Sequence, residues 1–314
     1  MSETSSVTRP PCTTGAAHDL LVCDVEPCDE AYPPGFQVWV DYFQANPERQ
    51  RRLERAWDPA APVVLTTRQR RALVRSFQRF ELGEGGDGVH LLAKARAAGD
   101  PAYTRALELL VVEEQKHSAL FGVGLRRMKA PSLRGHWSDV AFTRLRRLLG
   151  LRTELALFLI AEAVAIEYFE ALADSAPDPV LRGIGERIRT DEREHLRFQV
   201  DRLRVGFADA SRVTKAIAGA AWWVVAVGAA SVLCVDHAAA LRICGRRPVA
   251  YWGRALRRFR GLARSALSIP RDLGTASAGR SRVFLLGPGV RVAGDGGHDG
   301  PSVGRAARAT GVAL

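Results

Sequence analysis

Residues 188–195 read Ile-Arg-Thr-Asp-Glu-Arg-Glu-His, and residues 110–117 read Leu-Val-Val-Glu-Glu-Gln-Lys-His. Both stretches end in a Glu-x-x-His pattern, and the two patterns lie 78 positions apart. The same offset separates further matching residues upstream, namely Asp100-Pro101 from Asp178-Pro179 and Glu84 from Glu162. A lone glutamate, an Asp-Pro pair and a Glu-x-x-His pattern that recur in one order and spacing indicate two copies of one structural unit.

Each unit is predicted to be a pair of long helices. Asp followed by Pro is a helix start, because the Asp side chain accepts hydrogen bonds from free backbone N–H groups and Pro fits the first turn. Thr66 and Thr67 are a similar start signal. The pattern predicts helices over residues 67–97, 101–129, 139–173 and 179–207. Few alternating β patterns occur, so the predicted fold class is all-α, a bundle of long helices.

The repeated acidic and histidine residues are predicted to meet in the core of this bundle. Residues three apart on a helix lie on one face, so each paired Glu and His point the same way. Each lone glutamate lies 30 positions before a paired one, so an antiparallel hairpin can bring the two to one height. Two hairpins packed face to face predict a ligand set for two divalent or trivalent metal ions. Its members are Glu84, Glu114, His117, Glu162, Glu192 and His195.

The surroundings of Glu162 support this assignment. It is the only charged residue in the stretch 155–166, Leu-Ala-Leu-Phe-Leu-Ile-Ala-Glu-Ala-Val-Ala-Ile. A bare carboxylate there costs several kcal/mol unless it is protonated, paired or metal-bound. In the preceding unit the choice is less sharp, because Glu81 lies one turn before Glu84 and is the alternative ligand. The repeat offset favours Glu84.

Two further acidic residues, Glu113 and Asp191, each come directly before a paired glutamate. A carboxylate that accepts the free N–H of a ligating imidazole would fix the tautomer of that ring. We expect this role for Glu113 and Asp191, with ordinary polar residues at the edge of the helix face as the equal alternative.

The layout Glu84…Glu114-x-x-His117…Glu162…Glu192-x-x-His195 resembles the ferritin-like di-iron carboxylate superfamily. That group includes rubrerythrins, bacterioferritins, ribonucleotide reductase small subunits and several oxygenases. The resemblance covers about residues 66–207, and it implies an up-down four-helix bundle that holds two iron ions, with manganese as the alternative metal. Arylamine N-oxygenases of the superfamily carry an extra histidine where this chain has Ile188, and rubrerythrins carry a cysteine domain that has no counterpart here.

A second motif, at residues 83–88, is rejected. Gly-Glu-Gly-Gly-Asp-Gly matches the GxGxxG pattern of dinucleotide-binding proteins, but that site needs a β-strand before it and a helix that begins at it. The preceding residues 75–82 are predicted to be helical, and no parallel-sheet pattern follows. The glycines beside Glu84 are better explained by a helix distortion such as a π-bulge, or by close packing at the metal site.

Residues 216–235 form an apolar stretch of 20 residues without a charge, which is long enough to span a bilayer. It contains seven Ala and two Gly, and Trp222 and Trp223 fall near its middle. The leading prediction is therefore a further helix packed against the bundle or against a homodimer partner. Contact with a membrane surface, or a span, is the alternative. His237 just beyond it is either a further ligand or a satisfied helix-end residue.

The net charge of +11 lies at one end of the chain. From residue 242 to residue 314 there are 14 Arg and 3 Asp, which equals the surplus of the whole chain. A basic segment can bind nucleic acid or an anionic membrane surface. These arginines are interleaved with Gly, Ala and Pro rather than with aromatic residues. We therefore expect a solvated tail and no nucleic-acid partner, with membrane-surface contact left open.

The pattern divides the chain into four parts. They are a flexible arm (1–35), a bundle with a leading helix (36–210), an apolar helix with a basic helical extension (211–270) and a Gly/Arg-rich tail (271–314). The five cysteines form no CxxC pair, and residues 1–18 carry no apolar core behind a basic start. We therefore expect neither a disulfide framework nor a signal peptide. The expected location is the cytoplasm, with membrane association as the alternative.

Three functions fit these residues. The leading prediction is a di-iron oxidase or oxygenase that uses dioxygen or peroxide on a small organic substrate. The alternatives are a ferroxidase, peroxidase or iron-handling protein, and a non-enzymatic bundle stabilised by metal. An apolar cavity beside the metal site would favour the first, and a polar iron-entry channel with cage assembly would favour the second. The sequence does not name the substrate.

Overall fold

A computed structural model of the protein describes residues 35–136 and 149–268. These residues form helices and connecting segments with no β-strand among them, so the predicted all-α class is confirmed. The helices are α1 (Gln37–Glu54), α2 (Thr67–Glu84), α3 (Val89–Ala97), α4 (Pro101–Arg127), α5 (Leu151–Ser175), α6 (Pro179–Phe207), α7 (Arg212–Asp236), α8 (Ala238–Ile243) and α9 (Pro248–Leu267).

Side-chain caps determine where the long helices begin. Thr66 and Gln69 form a reciprocal capping box at α2, in which each side chain accepts from the other residue's backbone N–H, at 3.3 and 2.9 Å. Asp100 accepts from Tyr103 N at 2.9 Å at the start of α4, and Asp178 caps α6 in the same way. Both Asp-Pro pairs therefore begin helices, as predicted.

The helices pack as two antiparallel pairs, α2 with α4 and α5 with α6. In each pair, the contacting residue in one helix moves towards its start as the position in the other helix moves towards its end. The contacts that show this are Phe77 with Phe121, Glu81 with Ser118, Glu162 with Gln199, and Asp174 with Arg189. Helix α4 also packs against α6, and α1 packs against both. The two Glu-x-x-His helices are thereby neighbours.

Two aromatic clusters form the core on either side of residues 113–117 of α4. One cluster contains Phe36, Phe43, Tyr103 and Phe198, in which the Tyr103 and Phe198 rings stack at 5.5 Å. The other contains Phe77, Phe80, Phe121 and Phe169, in which the Phe80 and Phe169 centroids lie 4.9 Å apart. Burying each such ring contributes about 1.5–3 kcal/mol. Residues 113–117 of α4 therefore lie between two apolar clusters.

The prediction of one helix over residues 67–97 is wrong. Helix α2 ends at Glu84, residues 85–88 are not helical, and α3 begins at Val89. Gly88 has φ +66°, and a Cβ added there would lie 2.7 Å from Val111 Cγ2. The predicted π-bulge or close packing at these glycines is in fact a complete break, because a left-handed residue cannot continue a right-handed helix.

The helix predicted over residues 139–173 also needs correction. Residues 149–150 are not helical and α5 begins at Leu151, so the chain is not one helix through this region. Residues 139–148 lie outside the described part. The helices predicted over 101–129 and 179–207 are confirmed as α4 and α6, and the leading helix predicted in the segment 36–210 is confirmed as α1.

The apolar stretch forms α7, which packs against α5 and α9. Tyr251 of α9 donates to Val164 O at 2.7 Å, and Arg254 and Arg258 donate to Glu167, each at 3.0 Å. Within the described ranges, α7 is the helix that is long and apolar enough to cross a membrane. Only 17% of its apolar window is buried, so most of that window is not covered by the rest of the protein. The predicted arm (1–35), up to residue 34 and with Cys12, Cys23 and Cys28, lies outside the described residues. The predicted tail (271–314) lies wholly outside them.

Candidate metal centre

Two residues of α4 and two of α6 form a tight cluster between the helix pairs. One ligand atom from each of Glu114, His117, Glu192 and His195 lies within 4.8 Å of the other three. His195 Nδ1 is 2.8 Å from Glu114 Oε1, and His117 Nδ1 is 3.3 Å from Glu192 Oε1. Each imidazole therefore turns its Nδ1 atom towards the carboxylate of the opposite helix. The predicted pairing of the two Glu-x-x-His faces is what the structure contains.

The outward Nε2 atoms of the two histidines are held by carboxylates. His117 Nε2 is 3.0 Å from Asp191 Oδ2, and His195 Nε2 is 3.0 Å from Glu113 Oε2. The contacts cross between units, because each acidic residue reaches the histidine of the other helix. When Nε2 carries the proton and donates it to the carboxylate, the Nδ1 lone pair is left free to bind a cation.

The lone glutamates reach the same centre from α2 and α5. Glu84 and Glu162 line one cavity together with Glu114 and Glu192. The Glu84 carboxyl shares a hydrogen bond with Glu114, and Gln199 Nε2 donates to Glu162 Oε1. The alternative residue Glu81 instead accepts from Ser132 Oγ at 2.9 Å. Four of the six predicted residues therefore form the cluster, and Glu84 and Glu162 line the cavity beside it. Of the two candidates on α2, Glu84 rather than Glu81 lines this cavity.

The crowding of carboxylates disfavours their simultaneous ionisation. Burial raises the pKa of Glu84 and of Glu162 well above the ordinary range, and the neighbouring carboxylates raise both further. Burial and Glu114 likewise raise the pKa of Glu192. Burial alone would raise the pKa of Glu114 too, but the positive charge of His195 when it is protonated holds it below its usual value. A bound cation would take the place of protons at these oxygens.

Several buried polar atoms of the cluster lack a hydrogen-bond partner of good geometry within the described residues. They are both carboxylate oxygens of Glu192, one oxygen each of Glu114 and Glu162, and the Nδ1 atoms of His117 and His195. Leaving one buried polar atom unsatisfied costs about 1–3 kcal/mol. Their convergence on one point, with oxygen and imidazole nitrogen as the donor types, fits a cation-binding site.

Helix α1 contributes two residues that the sequence analysis missed. Asn46 Nδ2 donates to Glu113 Oε1 at 2.6 Å and to Asp191 Oδ1 at 3.0 Å. Gln50 Nε2 donates to the same Glu113 oxygen at 2.7 Å. Both amides are buried, 1% and 4% exposed. The available signal was their spacing of four residues on one face behind Phe43, which marks polar residues on a core-facing stripe.

Asp191 is further held by a buried arginine. Arg187, one turn before Asp191 on α6, is completely buried and forms an ion pair with it. Arg187 Nε also lies 3.4 Å from Glu54 Oε1 at the end of α1. The carboxylate that contacts His117 is thus surrounded by donors from two helices, which restricts its rotation and keeps its charge.

A cavity of about 810 Å³ opens from the four glutamates. Apart from the carboxylates and the loop of residues 83–88, its walls are mainly apolar. They include Leu107, Leu110, Leu155, Phe158 and Val164, together with Ala229, Val232 and Leu233 of α7. The centre therefore adjoins a space that an organic molecule of modest size would fill.

His237 lies on the wall of this cavity but outside the cluster. Its Nδ1 is 2.5 Å from Ser76 Oγ, and its ring packs 4.7 Å from that of Phe80. Burial, with the charge of Arg79 nearby, lowers the pKa of His237 to about 3. Of the two roles considered for His237, these contacts favour a helix-end residue whose side chain is already hydrogen-bonded within the protein, over a metal ligand.

No protein-family model matches the chain, and neither does a curated protein or a solved structure. What the chain does is therefore inferred from its own residues and their geometry.

Proposed function

We propose that the protein is a ferritin-like di-iron carboxylate protein that acts as an oxidase or oxygenase on a small apolar organic substrate. One observation carries the proposal. Glu114, His117, Glu192 and His195 cluster between two antiparallel helix pairs, and Glu84 and Glu162 line the same largely apolar cavity as Glu114 and Glu192. In this proposal α2, α4, α5 and α6 are the long helices of a four-helix bundle, and α3 carries on the first of them beyond the break.

The donor set is suited to two ions of a hard or intermediate metal. Glu84, Glu114, Glu162 and Glu192 would supply oxygen, and His117 and His195 would supply nitrogen. Carboxylate and imidazole ligands without thiolate are typical of iron and manganese sites in helical bundles. Two iron ions bound there would supply the redox chemistry by which dioxygen or peroxide is activated.

The remaining residues prepare the site. Glu113 and Asp191 would hold the Nε2 proton of each histidine, and so keep each Nδ1 atom directed at the centre. Gln199 orients the Glu162 carboxylate by donating to one of its oxygens. The leucine and phenylalanine walls of the cavity limit water beside the centre and would orient an apolar substrate.

The cavity favours an organic substrate over iron as substrate. An iron-entry path would be expected to carry polar or acidic side chains along its length. The cavity wall has some, including Asp87, Asp236 and His136, but most of its residues beyond the glutamates are apolar. The ferroxidase or peroxidase alternative makes a different prediction, because iron oxidation would not need the apolar space.

The test is to load the full chain anaerobically with ferrous iron, add dioxygen, and measure oxygen consumption and products with small apolar substrates. An Ala229→Phe variant narrows the cavity from α7, and Ala239→Phe adds the same ring at an exposed position of α8 as the control. We expect substrate-dependent oxygen consumption that Ala229→Phe lowers and Ala239→Phe does not. Iron oxidation that proceeds equally in both variants, with no substrate turned over, would favour the ferroxidase alternative.

A further inference from the structure

The outer side of α7 is an apolar face with no protein packed on it in the described part of the chain. Val213, Ile217, Val224 and Val235 are each 66–75% exposed, and Trp223 is 40% exposed. No charged residue occurs between Lys215 and Asp236. Exposed apolar patches of this extent on a soluble protein mark an interaction surface.

A groove at one end of this face combines aromatic and cationic side chains. It has a volume of about 530 Å³ and lies between the start of α7 and the end of α9. Lys215, Arg260 and Arg264 line it together with Trp223 and Phe259. Lys215 is only 8% exposed, and its Nζ makes no hydrogen bond within the described residues. A buried ammonium group without a partner favours an anionic ligand in the groove.

The charge around the face has one sign. From Arg212 to Leu267 the chain carries ten Lys and Arg but a single acidic residue, Asp236, which lies 3.5 Å from Arg79. Arg254 and Arg258 turn inward to Glu167, whereas Arg257, Arg260 and Arg264 of α9 remain exposed. The exposed apolar face of α7 is thus flanked by cations.

We propose that this surface, the outer face of α7 with the exposed arginines of α9, docks the protein on an anionic lipid bilayer. Apolar side chains would enter the interface while Lys and Arg contact the lipid phosphates, as in amphipathic interfacial helices. A second copy of the chain fits less well, because an isologous contact would set this cationic rim against the same rim.

Helix α7 would lie on the bilayer rather than cross it. Its inner side, with Trp222, Ala226 and Ala230, is buried in the core of the protein, and its neighbour α9 carries exposed arginines that cannot enter hydrocarbon without large cost. Val232, 43% exposed, belongs both to the apolar face and to the cavity wall. Docking would therefore bring the α7 wall of the cavity against the lipid.

The test is flotation of the full chain with phosphatidylcholine vesicles and with vesicles that also contain phosphatidylglycerol. The variant Ile217→Glu with Val224→Glu places charge on the face. The control, Val38→Glu with Val63→Glu, changes two exposed valines of α1 and the connection before α2. We expect binding to the anionic vesicles that salt weakens. The face variant should bind at least about tenfold more weakly, and the control should bind like the wild type.

A second measurement does not depend on these variants. Trp223 should be quenched by brominated lipid in anionic vesicles, and the quenching should be lost in Trp223→Phe. Absence of binding to either vesicle would overturn the proposal, and so would binding that the face variant leaves unchanged. A wild-type dimer in solution that the face variant converts to monomers would also overturn it, in favour of a second copy as the occupant.

Discussion

The two repeated units differ in the four residues that follow their lone glutamates. After Glu84 the chain reads Gly-Gly-Asp-Gly, and after Glu162 it reads Ala-Val-Ala-Ile. Helix α2 ends at Glu84, whereas α5 continues through Glu162 to Ser175. The same ligand position is thus supported by a helix end in one unit and by a helix interior in the other.

This difference determines which residues line the cavity on its two sides. The loop of residues 83–88 lines it, and so do residues of the continuous helix α5 on either side of Glu162. Three glycines within four residues cost about 1 kcal/mol each in a helix relative to alanine. The break in the first unit therefore removes a helical wall beside Glu84 and leaves space there.

The units also differ beside the glutamates themselves. Gln199 donates to Glu162, and the residue at the matching position of the first unit is Phe121, which packs in the aromatic core. The Glu84 carboxyl instead shares a hydrogen bond with Glu114. We expect the Glu162 side of the site to be the better organised of the two.

The largest expected effect comes from removing the paired glutamate that both units contain. Glu114→Ala with Glu192→Ala removes the paired glutamate of each unit, so bound iron should fall to near zero by mass spectrometry of the metal. The matched control is Glu108→Ala with Glu186→Ala, which lie on the same two helices at the same offset but are partly exposed and pair with arginines. Full iron content in the first variant would rule out the site.

Single amide substitutions separate the two units. Glu162→Gln and Glu84→Gln each remove one negative charge while keeping size, so each should lose about one of two metal equivalents. The loss of affinity should be larger for Glu162→Gln, because Gln199 already orients that carboxylate. The apo fold should survive both changes, since a neutral amide is cheaper to bury than a charge. Iron titration and thermal melting of the metal-free protein measure the two effects, and equal losses would remove the proposed asymmetry.

The amides of α1 serve both units, because they hold Glu113 and Asp191 together. Asn46→Ala with Gln50→Ala should weaken metal affinity by about 10–100-fold, as losses behind a ligating histidine typically do. Saturating iron should still give the wild-type stoichiometry. An unchanged dissociation constant in a competition titration would show that these amides do not position the histidines.

The break after Glu84 can be tested through its strained glycine. Gly88→Ala should lower the free energy of unfolding by about 3 kcal/mol, from the left-handed backbone and from contact with Val111. Gly99→Ala is the control, because Gly99 has φ +77° but no neighbour within 4 Å of its added Cβ. It should cost about 1 kcal/mol. Equal midpoints in urea for the two variants would mean that the Val111 contact relaxes freely.

The smallest expected effect on stability comes from one of the two Asp-Pro caps, Asp178. Burial alone would raise the pKa of Asp178, but hydrogen bonds from Arg127 at 2.8 and 2.9 Å hold it below its usual value. The stabilisation is therefore present above the unfolded pKa of about 3.9 and is lost as pH falls through the lower folded pKa. Asp178→Asn should cost about 2 kcal/mol at neutral pH, and the difference from wild type should shrink in acid. A pH-independent difference in urea melts would contradict this.

The repeat of 78 residues predicted the four residues of the α4–α6 cluster and both Asp-Pro caps, because i, i+3 spacing and Asp-Pro starts act locally. The role of Asn46 and Gln50 could not be predicted, because it depends on contacts with residues more than 60 positions away. The position of the helix break at Gly88 could not be predicted from the sequence either. A glycine only permits a left-handed turn, and the close approach of Val111 is a tertiary contact.

The most direct test of the account is the ratio of iron to protein in the full chain after anaerobic loading and removal of free iron. Two half-sites, one in each unit, predict two iron ions per chain in the wild type, with one lost in Glu162→Gln. A wild-type ratio of one or less, or a ratio that Glu162→Gln leaves unchanged, would contradict the claim that the two units jointly form one centre for two metal ions.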